Sequence, residues 1–120
     1  VSLGNPHTVI FFFFLSTIPL KKWGRAIEKL DLFPQKTNVE FVEIEDKNNI
    51  KMRVWERGVG ETLACGTGAC ASAVISAKKN YTDDLVNVKL KGGTLKINTK
   101  DDTIFMSGNS KVVYQGKIKL

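Results

Sequence analysis

The residues able to do chemistry crowd into one segment, Trp55-Glu56-Arg57-Gly58-Val59-Gly60-Glu61-Thr62-Leu63-Ala64-Cys65-Gly66-Thr67-Gly68-Ala69-Cys70. Cys65 stands at the predicted start of an apolar helix. Unbonded N–H groups and the positive end of the helix dipole favour a thiolate there and predict a lowered thiol pKa. The N–H groups of Gly66, Thr67 and Gly68 predict an anion pocket beside the sulfur, suited to a carboxylate or phosphate. Arg57 offers a bidentate carboxylate contact, and Glu56 can act as a base or an orienter. The chain's one histidine, His7, follows the turn Gly4-Asn5-Pro6 and precedes an apolar run. Each has a plainer reading. A free Cys is commonly a small buried residue, which suits Cys70 inside the helix better than Cys65. A lone His is commonly a hydrogen-bonded structural residue.

Other chemistries fit less well. Gly66-Thr67-Gly68-Ala69-Cys70-Ala71 matches a dinucleotide-binding pattern, but the acidic residue required about 20 positions on is absent, since the following strand ends in Lys89 and Lys91. Two Cys and one His cannot fill a four-ligand N/S zinc site alone, so no metal is expected, and two Cys so close in sequence make no disulfide scaffold. With 18 Lys and Arg against 12 Asp and Glu, the formal charge is +6, compatible with nucleic acid or small anions. In Val88-Lys89-Leu90-Lys91 and Leu95-Lys96-Ile97 the lysines alternate with apolar residues, as on a sheet with one wet face. They lack the interleaved aromatics that nucleic-acid binding prefers. Neither nucleic acid nor membrane is therefore an expected partner. The apolar run Val9–Leu15 is far shorter than the ~20 residues of a membrane span and follows no basic segment.

These residues must be held by something. With 120 residues, 42% hydrophobic and 25% charged, the chain is expected to form one globular domain, 1–120. Val9–Leu15 reads as a fully buried strand, and Leu20–Leu30 as a short amphipathic helix weakened by Gly24. Val39–Ile44 and Ile50–Glu56 read as a hairpin around Glu45–Asn49, with Ile50, Met52 and Val54 on one face. Ala69–Lys79, opened by Gly66-Thr67-Gly68, lacks a polar face and so reads as a buried helix. Val86–Leu90 and Thr94–Asn98 form a second hairpin across Lys91-Gly92-Gly93. Thr103–Ser107 and Lys111–Leu120 complete about seven strands. The class is α+β: a mixed, mostly antiparallel sheet curled around a central buried helix.

Three separated motifs, Gly4-Asn5-Pro6-His7, Thr37-Asn38-Val39-Glu40-Phe41, and Glu56-Arg57-Gly58 through Ala64-Cys65-Gly66-Thr67-Gly68-Ala69-Cys70-Ala71, occur in the order seen in diaminopimelate epimerases. The chain resembles the C-terminal half of that family. The resemblance implies epimerisation of LL- to meso-diaminopimelate, on the route to lysine and peptidoglycan, without PLP or metal. One thiolate removes the α-proton and a second thiol delivers one to the opposite face. It implies that Cys65 is one of the two catalytic thiols, with His7 and Glu56 tuning its proton. It implies that Asn5, Asn38 and Arg57 bind substrate and that Gly66 and Thr67 donate N–H groups to the α-carboxylate. The second thiol belongs to the N-terminal half of such enzymes, so that half or another chain must supply it. Cys70, one turn deeper in the same helix, cannot. The strand Lys111–Leu120 would pair back onto that other half, and a homodimer is possible. Free thiols and the lack of an export signal point to the cytoplasm. A racemase of the proline racemase type, a non-catalytic fragment, or a basic binding module are the alternatives.

Overall fold

Pro6 ends an opening turn, and β1 (His7–Phe11) lies parallel to β2 (Asn38–Asp46), with His7 opposite Asn38 and Val9 opposite Glu40. The computed structural model describes the whole chain, Val1–Leu120. Between these strands runs α1 (Leu20–Glu28); β2 turns back as β3 (Asn49–Glu56), followed by the short β4 (Gly60–Thr62) and α2 (Gly66–Lys78). The chain closes with β5 (Leu85–Leu90), β6 (Gly93–Asn98) and β7 (Phe105–Ser107). The sheet runs β1-β2-β3-β5-β6-β7. One edge of β3 is divided: β5 pairs in parallel with Asn49–Lys51, while β4 pairs antiparallel with Val54–Glu56. Only β1/β2 and β3/β5 are parallel, so the α+β expectation of a mostly antiparallel sheet holds.

The two helices take opposite faces, which explains why Asn38–Val42 are buried throughout. Val39 and Phe41 join Leu15, Ile18 and Leu20 under α1. Val42, Ile50, Met52, Val54, Val86, Val88 and Ile97 pack with Ala69, Cys70 and Ala73 of α2. Alanines and glycines along α2 let the helix approach the sheet closely, and its buried Ser76 donates to the Ser72 carbonyl oxygen at 2.7 Å. Cys70 therefore belongs to the core. No helix is long and apolar enough to cross a membrane.

Two expectations are corrected. The strand Val9–Leu15 is instead His7–Phe11, and it is only half-buried beyond His7. After Phe12 donates to the Val42 carbonyl oxygen the chain leaves the sheet, exposing Phe13 (90%) and Phe14 (68%) before Leu15 re-enters the core. Lys111–Leu120 forms no strand and is exposed throughout, because no neighbouring strand offers it a ladder. β4, too short for a period-2 signal, was not foreseen. Gly24 has a use beyond its helix propensity: a Cβ there would lie 2.5 Å from Trp55 Cβ and Cγ, so glycine lets α1 sit on that indole.

Candidate active site

The site forms where the start of α2 meets the ends of β1, β2 and β3. Cys65 is the N-cap of α2, with extended backbone, and its sulfur accepts from Gly68 N–H at 3.3 Å. Gly66 and Thr67, next in line, have N–H groups with no backbone acceptor, the ordinary state of a first helical turn. Thr67 Oγ1 lies 3.7 Å from the Cys65 sulfur. Met106 of β7 leans over this mouth, since a Cβ on Gly66 would meet its sulfur at 3.3 Å. Of the three N–H groups expected to line an anion pocket, those of Gly66 and Thr67 stand free beside the half-buried sulfur, while that of Gly68 is taken by the sulfur itself.

The thiol itself departs from expectation. Burial, the largest influence, pushes its pKa above the usual 9.0; the Gly68 and Thr67 hydrogen bonds pull it down, and the Glu56 and Glu40 carboxylates push it up again. The helix-terminal donors are outweighed, so Cys65 rests as a thiol. The Cys70 pKa is raised as well, by its burial and by Cys65.

Glu56 closes β3, where its Oε1 accepts from Thr62 Oγ1 at 2.5 Å across the β3/β4 pair. Arg57 follows on an exposed turn, its N–H donating to Asn38 Oδ1 at 2.8 Å and its Nη1 to the Gln35 carbonyl oxygen at 3.1 Å. The turn is gripped from the other side by buried Glu28 of α1, which accepts from Gly58 N–H and Trp55 Nε1, each at 2.8 Å. Those donors hold the Glu28 pKa below the usual range, the Trp55 bond most strongly. Asn38 is 5% exposed, and its Nδ2 donates to the Pro6 carbonyl oxygen at 3.1 Å, so its amide ties β1, β2 and the Arg57 turn together.

His7 is buried and makes no hydrogen bond to Cys65. Its Nδ1 lies 2.7 Å from Glu40 Oε1 and its Nε2 3.1 Å from Asn5 Oδ1. Glu40 is fully buried, and its Oε2 has no partner. Burial raises its pKa, against the pull of the His7 hydrogen bond. A Cβ on Gly68 would lie 2.8 Å from Glu40 Oε1 and 3.1 Å from the Cys65 sulfur, so carboxyl and thiol flank the same glycine. Sequence reasoning singled out neither Glu40 nor Glu28 nor Thr62. The signal for Glu40 was an acid in a strand that must be covered on both faces once α2 has no polar side.

Fold and site together define an α+β protein that presents one thiol and two free N–H groups at the mouth of a core helix. Solved structures share the fold: a phenazine biosynthesis PhzC/PhzF protein from Clostridium difficile (TM-score 0.62, 22% identity, 84% of this chain and 36% of that one) and a PhzF-family protein from Enterococcus faecalis (0.59, 16%, 84% and 36%). The family model for diaminopimelate epimerase matches residues 1–113, and the chain belongs to that family. It is 53% identical to a diaminopimelate epimerase from Halothermothrix orenii over 98% of this chain and 42% of the relative. It is 51% identical to one from Methanococcus maripaludis over 100% and 44%, and 47% identical to one from Prochlorococcus marinus over 99% and 43%. The chain therefore spans less than half the length of these relatives.

Proposed function

We propose that this chain, a single domain, supplies one of the two thiols of an enzyme that epimerises LL- and meso-diaminopimelate without PLP or metal. In this reading the sheet wraps α2 as the central helix, and the opposing thiol comes from the N-terminal part that the relatives possess or from another chain. The observation that carries the reading is the Cys65 sulfur at the α2 N-terminus with the Gly66 and Thr67 N–H groups unbonded beside it. An α-carboxylate received by those two donors places its neighbouring α-carbon beside the sulfur.

The proton inventory then follows. The opposing thiolate removes the α-proton; the electron pair left behind is stabilised through the carboxylate held by preorganised N–H donors. Cys65 S–H delivers its proton to the other face, leaving Cys65 as thiolate and its opposite number as thiol. A resting Cys65 thiol suits the acid role, and Glu56 discourages early loss of the proton. Arg57, exposed on its turn, takes the distal carboxylate. Asn5 and Asn38 line the substrate, Asn38 chiefly by fixing the Arg57 turn. The free thiols suit a reducing cytoplasm.

Deuterium entry from D2O into the α-position of diaminopimelate tests this directly. The chain would be assayed alone and mixed with the separately made N-terminal part of a relative. Exchange is expected only in the mixture and is lost in Cys65→Ser. Exchange that survives Cys65→Ser removes Cys65 from the mechanism, and a mixture inert under conditions where the intact relative turns over defeats the proposal.

A further inference from the structure

Glu40 occupies a core-facing position on β2, where an apolar residue would pack at least as well. A fully buried acid with one unpartnered oxygen is costly to keep ionised. Its partner His7 is buried too, and both ring nitrogens face oxygen: Nδ1 the Glu40 carboxyl at 2.7 Å, Nε2 the Asn5 side-chain oxygen at 3.1 Å. A neutral imidazole has one donor and one acceptor, so it cannot serve both oxygens as a donor without help. One further proton, lying between Glu40 Oε1 and His7 Nδ1, satisfies both contacts of the ring and leaves the buried pair without net charge. Nε2 then keeps its own hydrogen for Asn5. The Asn5 NH2 group is left without a side-chain bond inside the chain, at a half-exposed position.

We propose that Glu40 is a positioning residue: by sharing one proton with His7 Nδ1 it makes Nε2–H the donor that pins the Asn5 amide oxygen, turning the Asn5 NH2 outward to receive a substrate carboxylate. The final step rests on the function proposed above; the Glu40–His7–Asn5 linkage does not. The relay runs from Glu40, beside Gly68 and the Cys65 sulfur, to half-exposed Asn5. A carboxylate met by a correctly turned NH2 gains a hydrogen bond. One met by a reversed amide faces a carbonyl oxygen and is repelled.

Because His7 is the only histidine, its ring nitrogens are assigned without ambiguity in a 15N-labelled chain at pH 7. Expected are a protonated Nε2 and a low-field proton shared between Nδ1 and Glu40. In Glu40→Gln the shared proton disappears and the Asn5 NH2 signals broaden as the amide samples both orientations. An unprotonated Nε2 in the unaltered chain overturns the proposal with no variant needed, so a Glu40→Gln that fails to fold leaves it testable. An Asn5 signal indifferent to Glu40→Gln also overturns it. In the complete enzyme, KM for diaminopimelate should rise roughly tenfold in Glu40→Gln, a larger change than that in kcat. A fall in kcat alone would place Glu40 in proton transfer and overturn the positioning role. Absence of turnover by the unaltered complete enzyme would count against the function, while the ring-nitrogen result still decides the linkage.

Discussion

Cys65 sits where helix-terminal donors and two carboxylates act on one sulfur in opposite directions. The donors stabilise a thiolate, but at a half-buried position desolvation is the largest influence and the thiol keeps its proton. Two consequences can be measured with a small alkylating reagent. Cys65, half-buried, should be modified faster than core-packed Cys70, and its rate should still be climbing as pH passes 9.0, the ordinary thiol value. Glu56→Gln removes a negative charge that disfavours the thiolate, so the pH profile of Cys65 should move to lower pH. A profile unchanged by that substitution would mean that Glu56 is too distant or too solvated to act on the sulfur. The placement of Cys65 on a helix N-cap was legible because Gly66-Thr67-Gly68 precedes an apolar run. The direction of its pKa shift was not, because burial and the approach of Glu40 and Glu56 arise from strands distant in sequence.

At the scale of elements, α1 is more than a cover for one sheet face. Its last residue, Glu28, holds the indole N–H of β3 and the Gly58 N–H of the turn that carries Arg57. Glu28→Ala removes the acceptor of the half-buried Trp55 indole N–H and of the Gly58 N–H on an exposed turn. Water reaches the second, so the loss is about that of one unsatisfied buried group and should lower unfolding free energy by roughly 1–3 kcal/mol in a denaturant titration. A loss below about 0.5 kcal/mol, the range of ordinary surface changes, would show that the clamp is not energetically real. The pH sense is also fixed. The folded-state pKa of Glu28 lies below its usual 4.5, so its contribution is fully present above that value and is lost as pH falls through the folded-state pKa. Helical spacing of Leu20, Trp23 and Ile27 made α1 legible, as alternation made the β2/β3 and β5/β6 hairpins. The purpose of Gly24 was invisible, since it depends on the indole of Trp55, distant in sequence, lying against the helix backbone.

The whole molecule combines a two-sided core with a tail that takes no part in it. The radius of gyration is 15.2 Å, against about 13.6 Å for a compact chain of this length, and the stretch Lys111–Leu120 is exposed throughout. The apolar residues Val112, Val113, Tyr114, Ile118 and Leu120 there are each at least 75% exposed. A strand was expected from their composition alone, but composition cannot supply a partner, and in this chain β7 ends the ladder at Ser107. A chain lacking residues 111–120 should therefore melt within about 2 °C of the full chain, because removing exposed residues with no buried contacts changes stability by no more than roughly 0.5 kcal/mol. Sedimentation should also show less self-association after truncation, because exposed apolar surface of this kind drives it. Under the proposed function, the same truncation in a chain joined to the N-terminal part of a relative should lower activity and melting temperature together, because the apolar residues would then have a partner to lose. A shorter chain that melts many degrees lower by itself would instead mean that the tail packs against this domain, and the unpaired apolar surface would then have to be sought around Phe13 and Phe14.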